Sequence, residues 1–217
     1  MGCRGSSFVT DTGNVRGFVL AGGASRRFGR DKALVEIDGE PLIARLCRVL
    51  EEATSASVRI IGDAEKYGHI GVECIGDRWP GEGPLGGIIT ALEANRRAED
   101  ESSWSLIIGC DMPFLTTDWL QYIATRALAS KADIVALESD HGLEPLCACW
   151  RNTAAAPLTR IFESGVRRVS DAMRQLPMEL LDAADWKRFD KSDRLFWNMN
   201  TPTDYEEAIR VLKEERP

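Results

Sequence analysis

The stretch that most constrains this chain runs from Val15 to Lys32, VRGFVLAGGASRRFGRDK. Gly17 to Ala21 reads as an apolar strand that runs straight into Gly22 and Gly23. A polar loop with Arg26, Arg27, Gly29 and Arg30 follows, and Lys32 closes it. Adjacent glycines after a strand allow positive φ and let backbone N–H groups approach an anion closely. The cations then neutralise it, and their number suits a triphosphate or pyrophosphate better than a single weak anion. The loop matches neither common phosphate motif. G-x-x-x-x-G-K-[ST] fails for want of a Gly-Lys pair, and G-x-G-x-x-G fails because Gly22 and Gly23 are adjacent. A Walker ATPase and a nicotinamide dehydrogenase are therefore disfavoured. Taken alone, the loop is equally readable as a solvated basic turn.

Downstream, apolar strands alternate with helical patterns. Leu34–Ile37 alternates, and Asp38-Gly39 signals a turn. Pro41 opens a helix with Leu42, Leu46, Val49 and Leu50 on one face. Strands are expected at Ser57–Ile61, Val72–Ile75, Trp104–Gly109, Asp133–Leu137 and Pro145–Trp150, with a last one at Leu195–Trp197. A short helix is expected around Glu65–His69. Longer ones are expected at Ile88–Arg97, from a Thr117 or Asp118 cap through Ala129, and at Thr153–Glu163, Val169–Gln175 and Thr203–Glu214. The near-continuous apolar strands predict a mostly parallel sheet covered on both faces, an α/β fold. At 217 residues the chain suits one large domain, residues 15–217, behind a flexible polar tail, residues 1–14.

The net charge of −7 argues against nucleic acid or an acidic membrane as partner, while leaving room for a small phosphorylated substrate in a local cationic loop. No apolar run is long enough to span a bilayer. The N-terminus formally fits a lipidation pattern through Gly2 and Ser6, although a polar tail is the simpler reading. Six cysteines stand at 3, 47, 74, 110, 147 and 149 without a C-x-x-C pair. They read as reduced, buried thiols of a cytoplasmic protein rather than as a disulfide framework or a zinc site. Cys147 and Cys149 should share one strand face.

Ligands of open α/β sheets bind beyond the carboxyl ends of the strands. Four groups are expected there: the first loop, Asp77, the glycine segment RWPGEGPLGG from Arg78 to Gly87, and Asp111. Asp111 follows the apolar strand SLIIG and precedes Pro113, a place from which a carboxylate can hold Mg²⁺ together with phosphate oxygens. It can equally cap the segment after Pro113. No Ser/His or Cys/His arrangement suggests a covalent intermediate; His69 and His141 lie in polar, loop-like settings. The six tryptophans, Trp79, Trp104 and Trp150 among them, read as core or surface filling rather than as a platform for a flat ring; Trp79, in the loop between Asp77 and Gly83, is the one to test for that role.

Four segments in this order resemble those of the molybdenum cofactor guanylyltransferases: Leu20-Ala21-Gly22-Gly23 with Arg27, Gly29 and Lys32; Gly83-Pro84-Leu85-Gly86-Gly87; Cys110-Asp111-Met112-Pro113; and Asn198-Met199-Asn200-Thr201-Pro202. The first alone marks a broad class of nucleotidyltransferases; GPLGG and NMNTP make the likeness specific. The resemblance spans Gly17 to about Leu212. It implies a three-layer α/β/α nucleotidyltransferase fold. It also implies a reaction that joins GMP from GTP to the phosphate of molybdopterin carrying molybdenum, with release of pyrophosphate and with Mg²⁺ as cofactor. By the same resemblance, Leu20, Ala21, Gly22 and Gly23 hold guanine and ribose, Lys32 the phosphates, Asp77 the nucleotide, and Asp111 the Mg²⁺. Arg27, Gly83, Gly87, Arg168, Asn198 and Asn200 face the pterin substrate or the phosphate being joined. The family often carries an asparagine after its second strand; here that position is Gly62, so either a backbone group or Asp63 takes the role.

For such a reaction Arg27, Lys32 and a cation on Asp111 are the groups expected to offset repulsion between two phosphates. At ~4 Å and an effective dielectric of about 20, two like charges cost ~4 kcal/mol. Read from the residues, Arg167-Arg168 is also a plain solvated helix start, and Asn198 and Asn200 are also turn or cap residues. Rival readings are a CTP-using relative or another small-metabolite nucleotidyltransferase, a non-catalytic nucleotide-binding regulator, and a delivery partner for molybdoenzymes. The Gly22-Gly23 pair, in place of Ala-Gly, resembles the guanine-using branch.

Overall fold

A computed structural model of the chain describes residues 14–22, 31–95, 103–140, 142–190 and 194–214. The elements begin with β1 (Val15–Leu20), β2 (Glu36–Ile37), β3 (Glu40–Pro41), α1 (Leu42–Thr54), β4 (Arg59–Ile61), α2 (Ala64–Tyr67) and β5 (Glu73–Ile75). The middle of the chain forms α3 (Pro84–Ala94), β6 (Trp104–Gly109), α4 (Thr117–Ala129), β7 (Ile134–Ser139), β8 (Gly142–Leu143) and β9 (Cys147–Arg151). Then come α5 (Ala155–Glu163), α6 (Val169–Met173), β10 (Met178–Leu181), α7 (Ala183–Trp186) and α8 (Pro202–Glu214).

The main sheet runs β10-β7-β9-β6-β1-β4-β5, with β8 paired to β7. All neighbours on this path are parallel except β9, which is antiparallel to both β6 and β7. Alternate residues of each strand feed two cores. Val15 and Val19 face the side covered by α1 and α4, while Phe18 and Leu20 face α3 and α5. Both faces being covered explains why β6 is buried along its whole length. The result is the expected three-layer α/β/α arrangement.

Local sequence accounts for several of these placements. Gly17 sits mid-strand where a Cβ would lie 2.5 Å from the Leu50 Cγ, so its missing side chain lets α1 dock on β1. Helix α1 stops at Ser55, whose left-handed φ of 52° lets its N–H close on the Glu51 carbonyl. Cys147 and Cys149 share the α4 side of β9, as their spacing predicts. They behave as small apolar groups, with the Trp119 Nε1 donating to the Cys147 Sγ at 3.4 Å.

The sequence-based expectations need five corrections. The helix expected at Ile88–Arg97 runs instead from Pro84, a residue suited to the first helical position, to Ala94. No strand forms at Leu195–Trp197; the Trp197 N–H instead closes a turn on the Arg194 carbonyl at 2.8 Å. Thr116, one residue before the expected caps, begins α4 by accepting from the Trp119 N–H. The helix expected at Thr153–Glu163 opens as a 3₁₀ turn, Asn152–Ala154, and becomes α-helical at Ala155. Strand β10 was not expected: it lies at the sheet edge, where Leu180 stays exposed, so its apolar pattern is incomplete. Residues 1–13, including the lipidation pattern, fall outside the described residues, as does His141. No helix among the described residues is long and apolar enough to cross a membrane.

Candidate active site

Register fixes the site. Leu20 pairs with Ile61 on one side and with Gly109 on the other, and Ile61 pairs with Ile75. Gly22, Gly62, Asp77 and Asp111 each follow one of these strand ends, so they leave the sheet along one edge, where ligands of such sheets bind. The Ala21 N–H donates to the Ile61 carbonyl at 2.8 Å and the Cys110 N–H to the Leu20 carbonyl at 3.2 Å, which ties the three loop starts together.

The centre is a three-residue contact. The Lys32 Nζ donates to the Asp111 Oδ2 at 2.8 Å and to the Asn200 Oδ1 at 3.3 Å. Both charged side chains are more than four-fifths buried, at 18% and 17% exposure. The Asp111 Oδ1 is buried and meets no hydrogen-bond donor among the described residues. A Cβ on Gly109 would lie 2.8 Å from that oxygen, so this glycine leaves the carboxylate its place. Burial pushes the neighbouring Cys110 thiol up to about 12; the Asp111 charge adds to the effect, and Lys32 and the Gly22 N–H oppose it. Cys110 therefore stays a neutral thiol and no nucleophile.

The chain arrives at this point by a strap before α8. The Met199 N–H donates to the Asp111 carbonyl at 2.8 Å. The Asp204 carboxylate accepts the N–H groups of Asn200 and Thr201, each at 2.7 Å, and the Asp204 N–H returns a bond to the Thr201 hydroxyl. This capping box starts α8 and aims Asn200 at Lys32. Burial alone would raise the Asp204 pKa, but the two N–H donors outweigh it and hold the carboxyl below its ordinary range. The Asn198 Nδ2 donates to the Phe196 carbonyl at 3.2 Å within its own turn.

On the other flank, the Asp77 Oδ1 accepts from the Trp79 N–H at 2.9 Å and from the Thr90 hydroxyl at 3.3 Å. Thr90 is a buried residue of α3. Helix α3 starts after Gly83, which adopts a φ of 91°, and no side chain caps its first N–H groups. That open N-terminus is suited to an anion. Gly87 lies against Leu20 and Ile61, where a Cβ would be 3.4 Å from the nearer Leu20 methyl. Arg167 joins the α5–α6 loop to the glycine segment through a 2.7 Å bond to Glu82. Arg168 beside it is exposed, and its side chain makes no ion pair with a described residue. Trp79 packs on Phe162, the rings tilted at 53° with centroids 5.3 Å apart, and carries the Arg78 guanidinium over its ring, so it serves as a wall of the α3 core.

Gly62 packs against the backbone of the neighbouring strand end. A Cβ there would stand 2.4 Å from the Ala21 carbonyl oxygen, and the backbone N–H already donates to Ile75. The position requires glycine, and no side chain can project from it. Asp63 is occupied as the cap of α2, accepting the Glu65 N–H at 2.9 Å. Gly23, Arg26, Arg27, Gly29 and Arg30 lie outside the described residues.

Sequence reasoning missed Asp31, Tyr67, Thr90 and Asp204. Asp204 was readable from Thr201-x-x-Asp204, a capping-box spacing; the others depend on contacts made across the fold. Among the described residues, no three carboxylate, histidine or cysteine side chains gather around one point as a metal cage. A single carboxylate with an orphaned buried oxygen nevertheless fits a Mg²⁺ ion that shares its shell with substrate phosphate and water.

Residues 17–178 match the family model of the MobA-like NTP transferase domain. The molybdenum cofactor guanylyltransferase of Rhodobacter capsulatus is 30% identical over 214 residues, covering 94% of this chain and 99% of that protein. A protein of Chloroflexus aggregans described as a probable molybdenum cofactor guanylyltransferase is 33% identical over 192 residues, covering 87% of this chain and 90% of its own. Among solved structures, the molybdopterin-guanine dinucleotide biosynthesis protein A of Archaeoglobus fulgidus superposes with a TM-score of 0.77 at 25% identity, covering 92% of this chain and 99% of that one. A nucleotidyl transferase of Methanothermobacter thermautotrophicus shares the fold at a TM-score of 0.70 and 13% identity, over 93% of this chain and 99% of that one. On sequence and fold together, the chain belongs to the MobA-like molybdenum cofactor guanylyltransferase family of nucleotidyltransferases.

Proposed function

We propose that this protein transfers GMP from GTP to the terminal phosphate of molybdopterin or its molybdenum-bearing form. An oxygen of the pterin phosphate attacks the α-phosphorus of GTP, forming a new P–O–P bridge. The bond from the α-phosphorus to the α–β bridging oxygen breaks, and pyrophosphate leaves with that electron pair. The observation that carries the reading is the Lys32–Asp111–Asn200 contact at the shared edge of the strands. It unites the glycine loop, the metal-type carboxylate and the NMNTP segment, which come from distant parts of the chain.

The chemistry asks for charge relief more than for proton transfer. A phosphate monoester with a second pKa of about 6 is already mostly dianionic at pH 7. Lys32 supplies a cation next to the polyphosphate, and Arg27 is assigned the same task for the incoming phosphate. Asp111 would hold Mg²⁺, which when bound supplies Lewis-acid stabilisation of phosphate charge. Leu20, Ala21, Gly22 and Gly23 are assigned to the nucleoside, with Asp77 as a further nucleotide contact. Gly83, Gly87 and the open start of α3, with Arg168, Asn198 and Asn200, are assigned to the pterin side. Orientation and preorganised charge then account for the rate.

The test is transfer of label from [α-³²P]GTP to molybdopterin in the presence of Mg²⁺. A labelled dinucleotide product supports the reading. Label that remains in GTP, with the fold intact, removes it.

A further inference from the structure

Tyr67 bonds Asp31 at one described end of the glycine loop and packs on Gly62, which abuts Ala21 at the other. The residue is 2% exposed, so it cannot reach a ligand itself. Its hydroxyl donates to the Asp31 Oδ2 at 2.8 Å, while Lys66 approaches the same oxygen less closely, at 3.5 Å. The other Asp31 oxygen accepts the Ala33 N–H at 3.0 Å and so caps the 3₁₀ turn whose first residue is Lys32. The Tyr67 ring lies against Gly62, where a Cβ would be 3.0 Å from its edge, and Gly62 in turn abuts the Ala21 carbonyl. One side chain therefore braces the exit of the loop through Asp31 and its entrance through Gly62.

We propose that Tyr67 is a positioning residue for Lys32: by fixing Asp31 against the Gly62–Ala21 contact, it sets the height at which the Lys32 ammonium meets polyphosphate. This rests on the assignment of Lys32 to the nucleotide phosphates. Burial, with the Asp31 carboxylate adding to it, pushes the phenol above its ordinary value, so the hydroxyl stays a donor throughout the working pH range. A hydrogen bond to a charged acceptor is stronger than a neutral one, and its loss frees a turn that no other long-range side-chain contact of Asp31 among the described residues secures as closely.

The experiment is a double-mutant cycle on the full chain, read as the dissociation constant of Mg·GTP or Mg·CTP, whichever the wild-type protein binds more tightly. Tyr67→Phe keeps the ring and removes the hydroxyl; it is expected to weaken binding about tenfold. Asp31→Asn keeps the Ala33 cap and should weaken binding in the same direction. In a Lys32→Ala background, Tyr67→Phe should change binding by less than about twofold, because the effect passes through Lys32. A purely structural Tyr67 would show the same weakening in both backgrounds, and that result overturns the proposal, as does a Tyr67→Phe protein that binds normally or fails to fold. If Lys32→Ala alone leaves binding unchanged, the phosphate assignment of Lys32 falls first and takes this proposal with it. Absence of binding by the wild-type protein to either nucleotide does the same.

Discussion

Lys32 and Asp111, 79 residues apart, form a 2.8 Å ion pair that sits more than four-fifths buried at the edge of the sheet. The cation proposed to meet phosphate and the anion proposed to hold metal are thus held against one another. Asp111→Asn keeps the shape and removes the charge. It is expected to leave the far-UV circular dichroism of the wild type and to lower Mg²⁺-dependent turnover by at least about 100-fold. Near-normal activity in the purified variant would contradict the metal assignment.

Lys32→Ala removes the cation and leaves the Asp111 Oδ2 without its donor. Nucleotide binding is expected to weaken by about tenfold or more, the scale of a lost charge-assisted bond. Asn200→Ala removes only the longer 3.3 Å contact and should weaken binding by a smaller factor. Equilibrium titration with Mg·GTP checks both, and an Asn200 effect larger than that of Lys32 would reverse the order assigned here.

Gly62→Asn installs the amide that the family often carries after its second strand. The new Cβ would meet the Ala21 carbonyl oxygen at 2.4 Å and the Tyr67 ring at 3.0 Å. The expected cost is about 1–3 kcal/mol of stability, with weaker nucleotide binding because the start of the glycine loop must move. Urea unfolding measures the first and titration the second. A variant as stable as wild type would show that this loop accepts a side chain at 62.

Asp204 gives a pH prediction. Its carboxyl is held below its unfolded value of about 3.9, so it contributes stability above that pH and loses it as pH falls through the folded pKa. Asp204→Ala should cost about 1 kcal/mol near neutrality, as for a lost helix cap. The difference from wild type should shrink as the pH drops below about 4, where the native carboxylate also protonates. Denaturant unfolding at pH 7 and at acid pH checks both the size and the sign.

How much of this was legible in the sequence depended on distance along the chain. The run Trp104–Gly109 was readable to its observed bounds and the helix through Ala129 to its observed end, because an unbroken apolar run and a helical period are local signals. The strand ends followed, and with them the placing of Gly22, Asp77 and Asp111 on one edge. Strand β10 was lost because an edge strand buries only part of its surface. The Tyr67–Asp31 bond, 36 residues apart, has no sequence period to announce it. Neither does the Asn200–Lys32 contact, 168 residues apart: the motif resemblance put both residues at the site but assigned them to different substrates. The close approach of Gly62 to the Ala21 carbonyl was not legible either, because a glycine required by backbone contact looks the same in sequence as one merely tolerated.

The central claim is tested most directly by pyrophosphate release with molybdopterin as acceptor, GTP and CTP being compared side by side in Mg²⁺. The account predicts acceptor-dependent release with GTP, far exceeding that with CTP, and its loss in Asp111→Asn. Equal or greater release with CTP would contradict the guanine assignment, and no release with either nucleotide would contradict the transferase itself.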